Sequence, residues 1–463
     1  MKKRFLSVLT ALALCLTLLP AASLAAGTAP SRVTLAGILL ESGKSYIPKA
    51  DGGIKETTDS HDTDYLTYDD GVLTVYGTVE VSESAGLNFY DGTLTLTGGG
   101  ALTIEASDSN SAVSGSPQST LTTADEFSGN IILESANAPA VQNVKLDLTT
   151  GGSIRISSAK NSAVNTPQNP VTLKGGTVTI ETTANSAVSV STVAAPSLNV
   201  TAGGDVTITG NGNLPLIAGD SGKECAVTLN AGGNVEIGNK SGSAVYGPLT
   251  VAKAVDVTIG GGGNTTLLSS ASGTHSITAS GTVKMESGGI VCSNAAANGL
   301  TITGAKTVEI SSETSAPVVT GMTLRGCGAA FVNRLGNSES QAPIVDKVDS
   351  DIPVLLYDEK NDIQLRLLWK NDTYQRADAV GREPMAPNAQ KAVYYEAGDG
   401  YVMFSQLSDN SEDGAASAIL FNAESKDKRI EGTLTGIEVI GENALQTIYV
   451  SNLEGEFLSI TGT

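Results

Sequence analysis

From residue 102 onward, apolar and polar side chains alternate in short runs that return at a nearly constant interval. Val178 and Ile180 flank Thr179, Val206 and Ile208 flank Thr207, Val235 and Ile237 flank Glu236, and Val257 and Ile259 flank Thr258. Alternation at period two over four to six residues is the pattern of a strand with one buried face. Each run is followed by a small polar anchor and an apolar residue, as in Asn161 with Val164, Asn185 with Val188, Asn213 with Leu216 and Gly242 with Val245. Nine such anchors, at positions 110, 137, 161, 185, 213, 242, 264, 288 and 315, lie 22 to 29 residues apart. The mean spacing of about 26 is a solenoid period. A second apolar pair precedes each run, for example Val171 with Leu173, Leu198 with Val200 and Val227 with Leu229. Glycine pairs at 175–176, 203–204 and 232–233 mark bends between the two. Three short strands per turn predict an all-β chain: a right-handed parallel β-helix of about nine rungs and roughly 40 Å, over residues 93–335. Val206, Ile208, Val235, Ile237, Val257, Ile259 and Cys225 are expected to face inward.

A solenoid needs covered ends, because a bare terminal rung is an open sheet edge. Residues 26–92 contain several strand-like runs and read as an N-terminal β cap. Residues 346–463 hold half of all aromatic side chains but only nine of the 52 glycines, so a small C-terminal all-β domain is expected there. Runs at 391–396 and 401–407, and again at 446–450 and 456–460, predict two antiparallel hairpins. Before the cap, Lys2, Lys3 and Arg4 precede an apolar stretch over 5–19, Pro20 and a small-residue run to Ala26. That is the layout of a secretory signal peptide over residues 1–25, and it predicts a secreted or cell-surface protein. No later segment approaches the roughly 20 apolar residues of a spanning helix, so no membrane contact is expected once the leader is removed.

The cap and the rungs resemble secreted β-helix proteins of clostridial bacteria, a carbohydrate-binding-domain family that shares its fold with pectate lyases. The resemblance rests on residues 33–37, 43–46 and 68–75, on the repeated Val-Thr-Ile runs and on the Asn-Ser-Ala-Val anchors, and it covers about residues 33–330. It implies binding to plant or cell-wall polysaccharide, with Ca²⁺ as an optional partner.

Charge and chemistry narrow the picture. The net charge is −20, which repels nucleic acid and anionic lipid. Three cysteines remain beyond the leader, Cys225, Cys292 and Cys327, too few and too scattered for a disulfide framework or a zinc site. The outward positions between the apolar pairs read Thr103, Arg155, Thr179, Thr207, Glu236, Thr258, Lys284 and Glu309. Their charges sit rungs apart, so no carboxylate pair or Ca²⁺-plus-base cluster is expected, and catalysis is not. His275 reads as a solvated corner residue, and residues 260–263 as a glycine corner lacking the lysine of a phosphate loop.

For metal, Asp409 and Asp413 fall where a calcium loop has early ligands, but position twelve is Leu420 in place of an acid. A solvated turn is the better reading there. Asp62 and Asp64 belong to an acidic loop that also reads as hydrated linker, and no cofactor is called for. Sugar rings stack on exposed aromatic faces, and the rod wall has almost none. Tyr374, Tyr394, Tyr395 and Tyr401 near the C-terminal end, with Tyr65 and Tyr68 in the cap, are the candidate carbohydrate platforms, which puts binding at the ends of the rod. The sequence therefore predicts a non-catalytic binding or adhesion module for polysaccharide. A polysaccharide lyase or glycoside hydrolase on the same fold and a structural surface spacer are the alternatives.

Overall fold

The computed structural model describes residues 27–58, 63–166, 170–190, 196–219, 223–271, 273–294, 299–335, 345 and 347–350. It also describes the strands at 354–358, 363–367, 374–377, 389–397, 400–407 and 417–423. All regular elements among them are β-strands, and they form a parallel β-helix with three faces per turn.

The first face is a sheet of thirteen strands that stack in order along the rod, from Thr78–Glu83 through Val178–Thr182 and Val235–Asn239 to Val354–Asp358. These pair in parallel, and the thirteenth strand, Ile363–Leu367, closes the sheet antiparallel. Short strands such as Val164–Thr166, Val188–Val190 and Leu268–Ser270 make the second face. The third face runs through Val171–Gly175, Ser197–Ala202, Ala226–Ala231, Leu249–Lys253, His275–Thr278 and Leu300–Thr303. Parallel pairing extends past the nine rungs read from the repeat. Thr78–Glu83 stacks in front of Ala101–Ala106, and Ala329–Arg334 and Val354–Asp358 follow behind.

Register explains the core. Val178, Val206, Val235, Val257 and Val283 align rung to rung, as do Ile180, Ile208, Ile237, Ile259 and Met285. All ten are buried, and Cys225 lies inward with Val227 and Leu229. A column of branched side chains holds one register because a one-residue slip would turn every apolar group outward.

Two polar columns hold the corners. Where the third face turns into the first, a side-chain oxygen of one rung accepts the backbone N–H of the next: Asn130 from Ser153 at 2.8 Å, Asp205 from Asn234 at 2.7 Å and Asp256 from Thr282 at 2.6 Å. Where the first face turns into the second, inward hydroxyls do the corresponding work. Ser158 Oγ donates to the Ala138 carbonyl at 2.8 Å and accepts from Asn161 N–H at 3.1 Å, and Ser135 makes the matching pair to Asn110 and Ala138. Backbone groups at corners lie outside the ladders and need such partners. Asp256→Ala is expected to cost about 1 kcal/mol, the net worth of one such bond, while Asp256→Asn keeps the acceptor. Denaturant midpoints of the two variants measure the difference.

The front cap is antiparallel. Arg32–Leu35 pairs with Leu87–Tyr90, Lys44–Pro48 lies between Ile54–Thr57 and Tyr65–Asp69, and Tyr65–Asp69 turns back into Val72–Tyr76. That last turn is Asp70-Gly71, with φ of 43° and 85°, the two-residue left-handed turn that matches strand twist. Toward the C-terminus, Ala389–Ala397 pairs antiparallel with Gly400–Leu407, and Gly400–Leu407 with Ser417–Ala423, which is the first of the two expected hairpins. The second hairpin and the leader lie outside the described residues.

Candidate functional site

Each first-face strand is five or six residues long and therefore has at least two outward positions. The first row contains Arg155, Thr179, Thr207 and Glu236, as the repeat suggests. The second row, one pleat further along each strand, reads Ser82, Glu105, Glu134, Ser157, Glu181, Thr209, Gly238 and Gly260. Repeat reading missed this row because it followed only the position between the two apolar residues. The signal was present in the sequence: Glu181 sits between inward Ile180 and Thr182, and Glu134 between inward Leu133 and Ser135.

The second row overturns the expectation that charges on the wall are isolated. Glu105 and Glu134 are register partners on adjacent rungs, which places their backbones about 4.8 Å apart. Arg155 reaches from the first row between two carboxylates: its Nε lies 3.0 Å from Glu134 Oε1 and its Nη2 lies 3.1 Å from Glu181 Oε2. Ser82 Oγ donates to Glu105 Oε2 at 2.8 Å. These groups line an elongated groove of about 690 Å³ that ends near Asn211 and Lys240. Arg155, Glu134 and Glu181 keep 50%, 31% and 37% of their side-chain surface. The ion pairs are therefore screened and contribute on the order of 0–1 kcal/mol each to stability. Their consequence is positional, since one guanidinium fixes two acids.

A second hollow of about 790 Å³ lies between the cap and the first rungs, with Lys49, Asp51, Asp64, Thr78 and Glu80 on its walls. Ser82 borders both hollows, so the two are neighbours on the first face. Asp64 is exposed, and its Oδ1 accepts the Thr78 N–H at 2.7 Å. Asp51 pairs with Lys49 at 2.5 Å and accepts Gly53 N–H at 3.1 Å. The lysine ammonium beside it is the main cause that holds the Asp51 carboxyl below its usual range. Asp62, Asp409 and Asp413 lie outside the described residues. Among those described, no group of three or more His, Cys, Asp or Glu side chains is disposed to hold a metal ion.

The tyrosines divide. Tyr65 stacks on Tyr76 with ring centroids 4.3 Å apart and planes 13° from parallel. Tyr68 is only 6% exposed and belongs to the cap core, so it offers no platform. Desolvation there pushes its phenol pKa up. Tyr374, Tyr394, Tyr395 and Tyr401 all lie in the antiparallel strands, with Tyr374 opposite Ala397, Tyr394 opposite Met403, Tyr395 opposite Val402 and Tyr401 opposite Glu396.

Two further expectations change. His275 is a core residue with no exposed surface; it takes an apolar slot on the third face, paired with Leu300. Gly260 and Gly261 belong to the strand Val257–Gly261, and the chain turns only beyond them. Cys225, Cys292 and Cys327 are buried and none is in a disulfide, and desolvation pushes the Cys225 and Cys292 thiols up to about 12. A thiol so far from ionising is neither nucleophile nor ligand at neutral pH.

Chemically, the groove offers fixed acceptors and one shared cation. Glycoside hydrolysis by a carboxyl pair needs one acid and one base in different environments. Arg155 engages Glu134 and Glu181 alike, so nothing in their contacts separates the two roles. Compared with protein-family models, curated proteins and solved structures, the chain matches none of them.

Proposed function

We propose that the protein is an exported, non-catalytic binding module that holds an extended carbohydrate polymer along the first face of the rod, at the bacterial surface or in its surroundings. The observation that carries this reading is a track of two neighbouring hollows that meet at Ser82, with walls that extend from the cap to Lys240 across successive rungs. Hydroxyls, carboxylates and one guanidinium spaced by the rung repeat suit a ligand with a repeat of its own. The leader-like residues 1–25 support export. The Tyr65 and Tyr76 rings support a stacking position at the cap end, because Tyr65 follows Asp64 directly and Tyr76 lies two residues before Thr78.

A glycan array probed with the chain lacking residues 1–25, with and without Ca²⁺, tests the reading. Arg155→Ala is expected to weaken binding about tenfold, as loss of a central anchor does. Lys284→Ala, further along the rod and paired with Glu286 at 2.7 Å, serves as the control and should bind like the parent chain. An array on which no glycan is retained overturns the proposal.

One observation favours a second reading, hydrolysis on the same face: Glu105, Glu134 and Glu181 do share a groove. Release of reducing ends from a bound polysaccharide, abolished by Glu134→Gln, would establish it.

A further inference from the structure

The groove beside Arg155 has a charge logic that specifies the ligand further, and this step rests on the binding role proposed above. Glu134 and Glu181 each give one oxygen to Arg155, and Glu105 gives one to Ser82. The other oxygens, Glu105 Oε1, Glu134 Oε2 and Glu181 Oε1, accept no bond from the described residues. They are acceptor-only positions facing a groove and repeating along the rod axis. Their partners must be donors, and the hydroxyls of a sugar chain are donors that also suit the neighbouring Ser157 and Thr209.

The cations point the same way. A uronate-bearing chain needs guanidinium or ammonium groups free to meet its carboxylates. Arg155 is taken up by two acids of its own protein, and Lys49 by Asp51. Of the cationic side chains lining the two hollows, Lys240 alone has no acidic partner among the described residues. A polyanion would also approach a chain of net charge −20 against a repulsive field.

We propose that the track takes an uncharged linear glycan lying parallel to the rod axis, hydrogen-bonded to Glu105, Glu134 and Glu181, and that it rejects polyuronates. The guanidinium of Arg155 acts as the group that holds two acceptors in place without forming a site for anions.

The test is a binding titration of the chain lacking residues 1–25 with three probes of equal length: a cello-oligosaccharide, a xylo-oligosaccharide and an oligogalacturonate. At low salt, at least one neutral probe should bind about tenfold or more tightly than the oligogalacturonate, since like-charge juxtaposition costs several kcal/mol. The double variant Glu134→Gln with Glu181→Gln frees Arg155 and should reverse the order, with neutral affinity falling and oligogalacturonate affinity rising. Both positions are half-exposed on the rod wall, and an unchanged thermal midpoint confirms that the variant is folded. Tighter binding of the oligogalacturonate by the parent chain, or a double variant with unaltered preference, overturns this inference while leaving the binding role intact. Failure of every glycan on the array and in the titration overturns both.

Discussion

Ile237→Ala is expected to destabilise the rod by about 2–5 kcal/mol, the cost of a cavity in a packed core, whereas Thr207→Ala should cost only a fraction of that. Ile237 is fully buried and aligned with Ile208 on one side and Ile259 on the other. Removing its branched end strips contacts from both neighbours in the column and leaves a gap in a core that is packed from three faces. Thr207 is outward on the adjacent rung, in register with Glu236, and its methyl and hydroxyl are partly solvated in the folded chain. Urea denaturation followed by circular dichroism on both variants measures the contrast. Equal losses would mean that the inward and outward phases are not distinguished as described.

The contrast rests on the part of the architecture most legible in the chain. Val-x-Ile runs with glycine pairs and small anchors specify three strands per turn, because inward columns demand apolar residues at period two and corners demand small or polar ones. What the repeat could not supply is register across rungs. Spacings vary from 22 to 29 residues, and the corner loops absorb the difference, so neighbours in space cannot be found by counting.

Glu105 and Glu134 become partners only once Leu102 is set beside Ile131, and the groove depends on that alignment. The outer rungs were legible too: Ser84-Ala-Gly-Leu87 follows Thr78–Glu83 and Gln341-Ala-Pro-Ile344 follows Ala329–Arg334 much as Ser315-Ala-Pro-Val318 follows Thr307–Ser312, but the nine anchors counted begin at 110 and stop at 315. Tyr68 in the cap shows the limit set by neighbours in space. Leu66 and Tyr68 alternate onto one face, and only the packing of the cap into the common core decides that this face is covered.

Stability of the folded chain should fall as pH drops from about 6.5 towards 4, and His275 should account for a step of about 3 kcal/mol within that window. His275 occupies the slot that Leu300 fills on the following rung, a pattern readable from His275-Ser-Ile277 beside Leu300-Thr-Ile302 once the rungs are aligned. It is fully buried, and neither ring nitrogen meets a hydrogen-bond partner among the described residues. Desolvation therefore pushes its pKa down from 6.5 to about 4, with the Glu224 carboxylate opposing the shift in part.

The neutral ring is the form the fold accepts, so between those two values the unfolded chain binds a proton that the folded chain does not. Stability is unaffected above about pH 6.5, declines with falling pH through the interval, and carries the full penalty below about pH 4. Carboxylates elsewhere titrate at the acid end of this range, so the comparison is best made between pH 7 and pH 5. There the parent chain should lose about 2 kcal/mol more than His275→Leu. The leucine variant should also be the more stable of the two at pH 7, because it replaces two unsatisfied ring nitrogens with an apolar side chain in an apolar column. Urea midpoints at the two pH values decide the matter: parallel losses in parent and variant would show that the imidazole does not titrate within the core.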